Sequence, residues 1–316
     1  MNNREKITPS YDYNVGRLSS IYKKAITRIY KILDRTDVTT LSQATNYALM
    51  ASIQNELIKL RKEAKGWVEE NIVIASKDGI AQSLVSLGYA KDYEEALLIA
   101  RFSQVNSEMV RTAAADTYRN VLAVTENMQD QIQTTIRRIS AEVITTGIAM
   151  QRNSKVISKE LRESIQKMQA KLKESVDVAI VDAAGRHWKV KHYTEMLART
   201  KMMETQITAS MNEAIDRGAY YATISINANT KDACRYHQGR IVKLKAEAPG
   251  NYPTVDQLKT TGQIFHPNCK HVLLPMRSPD LLDEEERAIA KRQQKTSDAA
   301  IKDGGRDPNV EKDKKD

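Results

Sequence analysis

The sequence predicts a mainly α protein: an elongated helical N-terminal region, then a small α/β unit carrying a Cys/His cluster, then a disordered tail. Three observations predict it. Aromatic residues are 5% of the 316-residue chain, with two Phe and two Trp, which argues against a broad aromatic-rich core. Ala, Ile, Leu, Val and Met recur at helical spacing, interleaved with Lys, Glu, Gln and Arg, as far as about Asp216. Both cysteines and three of the five histidines fall between Cys234 and His271.

The first helix is carried by Leu18, Ile21, Tyr22, Ala25, Ile29, Ile32 and Leu33, spaced three and four apart, and ends near the polar turn Asp34 to Thr40. Thr39 or Thr40 caps a second, over Leu41, Ala44, Ala48, Met50, Ile53, Leu57 and Leu60, whose basic end at Arg61-Lys62 suits the helix dipole. Gly66 is expected to break it, and Gly79 and Gly88 to divide Lys77 to Arg101 into short helices, one entered through Asp92 and Glu95.

Ser107 to Met150 contains no proline and keeps one apolar face through Val121, Val124, Met128, Ile132, Ile136, Ile139 and Val143, a length suited to a bundle or an oligomer. Leu161, Ile165, Met168, Leu172 and Val176 make another amphipathic segment, broken at Gly185 and the Arg186-His187-Trp188-Lys189 patch. A further helix over Tyr193 to Asp216 ends at Gly218, placed for a left-handed cap. Beyond it, Ala222 to Ile226 alternates like a strand, Asn227 to Thr230 reads as a turn, and Arg240 to Leu244 and His271 to Leu274 are short strand-like runs. After Pro279 only a weak helix near Glu284 to Arg292 is expected, before a Lys/Asp-rich end too poor in apolar residues to fold. The domains expected are therefore a helical scaffold over 1–184, an α/β unit over 185–278, and a charged, largely disordered tail over 279–316.

The net charge is +9 and the pI near 9.3, but the excess is spread along the chain, as on solvated helix faces, rather than massed in a block. Arg186, His187, Trp188, Lys189, Lys191 and His192 interleave basic and aromatic groups, which suits DNA contact as well as an ordinary helix start with a packed Trp. No run approaches the ~18 apolar residues of a membrane span, and Met1 to Ser10 lacks the apolar core of a signal peptide, so a cytosolic product is expected. Two cysteines in a reducing compartment point to a metal rather than to a structural disulfide.

Cys234, His237, His266, Cys269 and His271 are the candidate ligands, and zinc the expected ion. The two-residue gap in Cys234-Arg235-Tyr236-His237 lets both side chains turn toward one point, and Pro267 keeps His266 out of helical geometry. In extended chain Cys269 and His271 share a face. Four of the five would complete a tetrahedral structural site; buried cysteines with ordinary hydrogen-bonded histidines are the plainer alternative. A hydrolytic centre would need a spare histidine beside a carboxylate, for which Asp232 is at hand, making a metal-dependent nuclease or DNA-processing enzyme the alternative function. There is no phosphate-cradling glycine loop, nucleophile elbow or HExxH pair, and no catalytic or cofactor-binding residue is expected.

His192-Tyr193, Ala198-Arg199-Thr200, the helix ending near Gly218, Asp232 to Gly239, and His266-Pro267-Asn268-Cys269-Lys270-His271 ahead of Pro275 together resemble the phage Mu F-like minor head proteins, specifically the phage minor capsid protein 2 group. The resemblance covers residues 185 to 277. Where family members commonly carry Cys-Arg-Cys or Cys-Arg-His, this chain has Cys269-Lys270-His271. The resemblance implies a non-enzymatic, low-copy virion component of a tailed phage, assembled in the host cytoplasm and lying inside the capsid. The implied partners are the portal or major capsid protein and the packaged DNA, in head assembly or genome delivery, with no membrane.

Overall fold

The computed structural model describes residues 9–36, 43–150, 157–181, 185–227, 230–306 and 308. Among the described residues 70% are helical, in eight α-helices. Helix α1 (Asp12–Asp34) buries Val15, Leu18, Tyr22, Ala25, Ile29 and Leu33, the single stripe that a three-four spacing dictates. Helix α2 (Gln43–Ser86) buries Leu49, Ile53, Leu57, Leu60, Ala64 and Trp67 in the same rhythm, while Ala44 and Ala48 stay exposed. The proposed cap at Thr39 or Thr40 lies outside the described residues. Helix α3 (Tyr93–Ile99) starts as its sequence requires: Asp92 accepts from the Glu95 amide at 2.9 Å, and Glu95 accepts from the Lys91 amide at 2.8 Å.

Helix α4 (Gln104–Met150) extends roughly 70 Å at 1.5 Å per residue. Helix α5 (Ile157–Val176) is followed by a hairpin of β1 (Val178–Val181) and β2 (His187–Lys189), where the sequence showed only a break in pattern. Helix α6 (Val190–Asp216) ends in a Schellman turn: the Ala219 amide donates to Ala214 O at 2.9 Å and the Gly218 amide to Ile215 O at 3.0 Å, with Gly218 at φ +72°.

The chain forms two compact units. One is made of Tyr13–Val68 and Asp116–Ala198. In it Val121, Val124, Met128, Ile132, Ile136 and Ile139 of α4 are buried, as are Met168 and Leu172 of α5. Two of its buried polar groups pair with distant backbone: Tyr22 donates to Val121 O at 2.8 Å, and Trp67 Nε1 donates to Asn14 O at 2.8 Å.

The other unit is made of Met1–Asp12, Glu69–Ala115 and Arg199–Asp316. Its sheet has β3 (Tyr221–Ile224) at the centre, antiparallel to β4 (Ile241–Lys243) and to β5 (Leu273–Met276). All four β3 residues are buried, because alternate side chains meet a helix on each face. Ala222 and Ile224 join Ile207 and Ala214 of α6 together with Cys234 and Cys269. Tyr221 joins Ile241, Met276 and Ala290 on the other side. Helix α7 (Val255–Thr260) opens on a capping box between Thr254 and Gln257.

Two glycines expected to break helices do not. α2 runs through both Gly66 and Gly79 and ends only near Gly88, at φ +75°. At Gly79 the reason is packing rather than backbone freedom, since a Cβ there would stand 2.1 Å from Gln206 O and 2.9 Å from the Ser210 amide. Beside this close approach Ser83 donates to Ser210 O at 2.7 Å. At Gly66 a Cβ would meet nothing within 4 Å. Substitution by alanine therefore has opposite signs at the two sites. Gly79→Ala is expected to cost about 1–3 kcal/mol through forced helix separation, and Gly66→Ala to stabilise by about 0.5–1 kcal/mol, both read by denaturant unfolding.

The segment after Pro279 also differs from expectation. The weak helix at 284–292 is a twenty-residue helix, α8 (Glu284–Asp303), opened by a capping box between Asp283 and Glu286. Apolar content alone did not foretell it, because polar anchors join its small buried Ala290 and Ala300: Ser297 is fully buried, and Asp298 Oδ1 lies 2.7 Å from Arg240 Nη2. No helix among the described residues is long and apolar enough to cross a membrane.

Candidate metal centre

The site is built from two loops. In the first, Asp232 caps a 3-10 turn over Ala233–Tyr236, accepting from the Cys234 amide at 3.2 Å, and this turn delivers Cys234 into the core at 1% exposure. In the second, the Cys269 amide donates to His266 O at 2.9 Å, closing a turn in which Asn268 takes φ +67° and Phe265 φ +55°. Asparagine tolerates the left-handed region; phenylalanine does so at a cost, which places backbone strain directly beside His266.

The turns bring four of the five candidate residues together. Cys234 Sγ lies 3.7 Å from Cys269 Sγ and 3.1 Å from His266 Nε2, and Cys269 Sγ lies 3.4 Å from His271 Nδ1. Two sulfurs bound at about 2.3 Å to one tetrahedral zinc stand about 3.8 Å apart, and a sulfur and an imidazole nitrogen about 3.5 Å, so the sulfur–sulfur and Cys269–His271 spacings match such a centre, while His266 approaches it from the Cys234 side. The donors form two overlapping triads, Cys234 with Cys269 and His271, and Cys234 with His266 and Asp232. This cluster could hold a metal ion.

Two further observations bear on the fit. His271 Nε2 is buried with no hydrogen-bond partner among the described residues, an uncommon state for a native polar atom, whereas it is Nδ1 that faces Cys269. His266 Nδ1 lies 2.9 Å from Pro267 O. A carbonyl only accepts, so Nδ1 carries the proton and the Nε2 lone pair faces Cys234, as ligation requires. Asp232, noted in the sequence only as a neighbour, sets Oδ2 3.2 Å from the same Nε2.

Without an ion the two sulfurs share their charge unequally. A hydrogen bond from Cys234, and then His271, hold the Cys269 thiol well below its ordinary range against the opposing effect of burial. The Cys234 thiol is pushed up, chiefly by that same bond and then by burial.

His237 stands apart from the four. Its ring is fully buried in a directional chain: Arg240 Nη1 donates to Ser297, Ser297 Oγ donates to His237 Nδ1 at 2.7 Å, and His237 Nε2 donates to Gln263 Oε1 at 3.0 Å. Gln263 Nε2 passes the chain on to Ala300 O at 2.7 Å and Gly305 O at 3.1 Å. Both ring nitrogens are committed, and no lone pair is left for an ion. The Cys-x-x-His spacing suggested a ligand pair. The competing partner, Ser297, sits on a helix that the sequence did not foretell at that position.

Burial, followed in effect by the nearby Arg240 and His271, pushes the His237 pKa down to about 4. A group lowered in this way binds its proton more readily when unfolded, so its stabilisation is complete above about pH 6.5 and is lost as pH falls toward 4. The loss amounts to about 3 kcal/mol at most. His237→Gln, which cannot titrate, is expected to flatten the stability-against-pH slope between pH 6 and 4 relative to wild type, measured by denaturant titration in metal-free buffer.

The basic and aromatic patch is folded as strand β2 and the start of α6. Arg186 stacks 5.8 Å from the Trp188 ring centroid, Trp188 meets Tyr193 edge-on at 6.4 Å, and Lys189 Nζ lies 3.6 Å from Asp177 Oδ2. A cavity of about 320 Å³ borders the Cys/His cluster, walled by α6 at Met203, Glu204 and Ile207 and reaching Phe265, His266 and Cys269.

A helix-dominated chain whose clustered thiol and imidazole groups all serve a three-stranded lobe defines a structural class rather than a reaction. Residues 12–301 match the family described as Phage minor capsid protein 2, and the chain belongs to that family. It is thus a phage minor capsid protein, a virion component that assembles with other virion components. The match extends the resemblance noted over 185–277 to the helical region as well. No curated protein and no solved structure matches the chain.

Proposed function

We propose that this protein is a low-copy structural component inside the head of a tailed phage, seated against the portal or the inner face of the shell, where it serves head assembly and DNA packaging or delivery. The observation that carries this reading is the family match over residues 12–301. The long helices of 1–184 supply docking faces, 185–278 supply a compact recognition lobe, and 279–316 follow as a charged end. The overall charge of +9 suits a compartment filled with DNA.

Within the lobe we assign a structural zinc to Cys234, Cys269, His271 and His266. Bound there, zinc would cross-link the two loops and neutralise both thiolates. Asp232 Oδ2, 3.2 Å from His266 Nε2, places a carboxylate charge beside the cation's position. Mass spectrometry of purified particles tests the location: the chain is expected at a small fraction of the major capsid protein's copy number, and its absence from both procapsids and virions would overturn the reading.

The second reading, a metal-dependent nuclease, is favoured by one observation, the Asp232 carboxylate 3.2 Å from His266. DNA cleavage by the purified protein with Zn²⁺, Mg²⁺ or Mn²⁺, abolished in a folded His271→Ala variant, would establish it in place of the structural role.

A further inference from the structure

We propose that Cys234 and Cys269 form a redox site, in which a peroxide converts the pair to an intramolecular disulfide. The inference rests on the metal reading above only in holding that the same step releases the ion. Three observations carry it. The sulfurs are 3.7 Å apart, so a small movement of either loop reaches bonding distance. They are the only two cysteines in the chain, and both are free, so no other intramolecular partner competes. Cys269 and His266 line the cavity of about 320 Å³, which gives a small oxidant a route to a sulfur otherwise 7% exposed, whereas Cys234 does not line it.

That asymmetry orders the steps. The Cys269 sulfur attacks one oxygen of hydrogen peroxide; an S–O bond forms, the O–O bond breaks, and the departing hydroxide takes the Cys269 thiol proton as water. Cys234 sulfur then attacks Cys269 sulfur; the S–S bond forms, the S–O bond breaks, and the departing hydroxide takes the Cys234 thiol proton as water. The two sulfurs lose two electrons in total and the peroxide gains them. A disulfide sulfur is a poor ligand for zinc, so two of the four donors are withdrawn together and the ion is released. A virion leaves the reducing cytosol on lysis, so its two lifetimes, assembly and release, fall on opposite sides of this reaction.

The test uses full-length protein, as purified and after stripping with a chelator, treated with hydrogen peroxide and read by intact mass, peptide mapping, non-reducing electrophoresis and chromogenic zinc detection. Both preparations are expected to lose the mass of two hydrogens and both alkylatable thiols, to yield a Cys234–Cys269 linked peptide while staying monomeric, and to recover with dithiothreitol. Zinc release is expected to parallel the disulfide in the preparation as purified. Cys234→Ser, lacking the resolving sulfur, is expected to carry Cys269 on to sulfinic and sulfonic acid. Disulfide-linked dimers, unreacted thiols, or overoxidised Cys269 in wild type and variant alike would overturn the proposal. A linked peptide from protein that held no zinc as purified would support the redox site while refuting the metal reading.

Discussion

Cys269→Ser is expected to abolish metal retention by the full-length protein and to lower the apparent folding free energy of the sheet-containing lobe by several kcal/mol, toward the ~10 kcal/mol that structural zinc supplies in small domains. The size follows from what the ion spans. Between the Cys234 turn and His266 lies a loop of roughly thirty residues, whose closure costs entropy that grows only slowly with length but must still be met. That loop has its own anchors in α7 and in the bridge between Lys243 and Thr254. Metal loss is therefore expected to loosen the two turns and the end of β3 rather than to unfold α6. Hydrogen exchange should show it: amides from Ser225 to Gly239 and from Phe265 to Val272 lose protection in Cys269→Ser and in chelator-treated wild type, while α6 stays protected. His237→Gln serves as the control. It sits in the same Cys-x-x-His spacing, but its nitrogens are bonded to Ser297 and Gln263, so it is expected to keep the metal.

The second large effect is expected at Asp298. Its carboxylate is the charge partner of Arg240, whose side chain is 5% exposed. Burial already works against the Arg240 charge, lowering its pKa, and Asp298 opposes that shift. Asp298→Ala leaves the interior guanidinium with only Ser297 as a partner and is expected to destabilise by about 1–3 kcal/mol, less than for a pair buried on both sides because the Asp298 carboxylate is 57% exposed and solvent screens it. Combining it with Arg240→Met removes the stranded charge, and most of the loss is expected to return. Chemical denaturation of the two single variants and the double variant measures this. Additive losses would show that the pair is a solvated contact and that α8 is held by its apolar residues instead.

Much of the helical fold was legible because one face repeated at three and four: Leu18, Tyr22, Ile29 and Leu33 in α1, and Val121 to Ile139 in α4, are buried as their spacing implies. The caps at Asp92 and Gly218 were legible because each fills a position that a helix end requires. Gly79 was not, since a glycine that permits close helix approach looks the same in sequence as one that breaks a helix; only the partner atom, Gln206 O, distinguishes them. α8 was undervalued because its buried apolar residues, Ala290 and Ala300, are small, and Ser297, Asp298 and a backbone carbonyl, which also anchor it, do not register in an apolar pattern.

The Cys/His cluster was legible as a set of residue types. Its internal arrangement was not. Spacing placed Cys269 and His271 on one face, and their ligand atoms do approach to 3.4 Å. The same kind of argument placed His237 with Cys234, where a buried hydrogen-bond chain from Arg240 to Gln263 draws the ring away. Local spacing governs which side chains can meet; distant partners such as Ser297 decide which of them do.

Metal content is the most direct measurement. Inductively coupled plasma mass spectrometry of the full-length protein, purified without added metal or chelator, is expected to find one zinc per chain in wild type and in His237→Gln, and none in Cys234→Ser or Cys269→Ser. A wild-type chain that is folded, reduced and free of zinc or any other transition metal would contradict it.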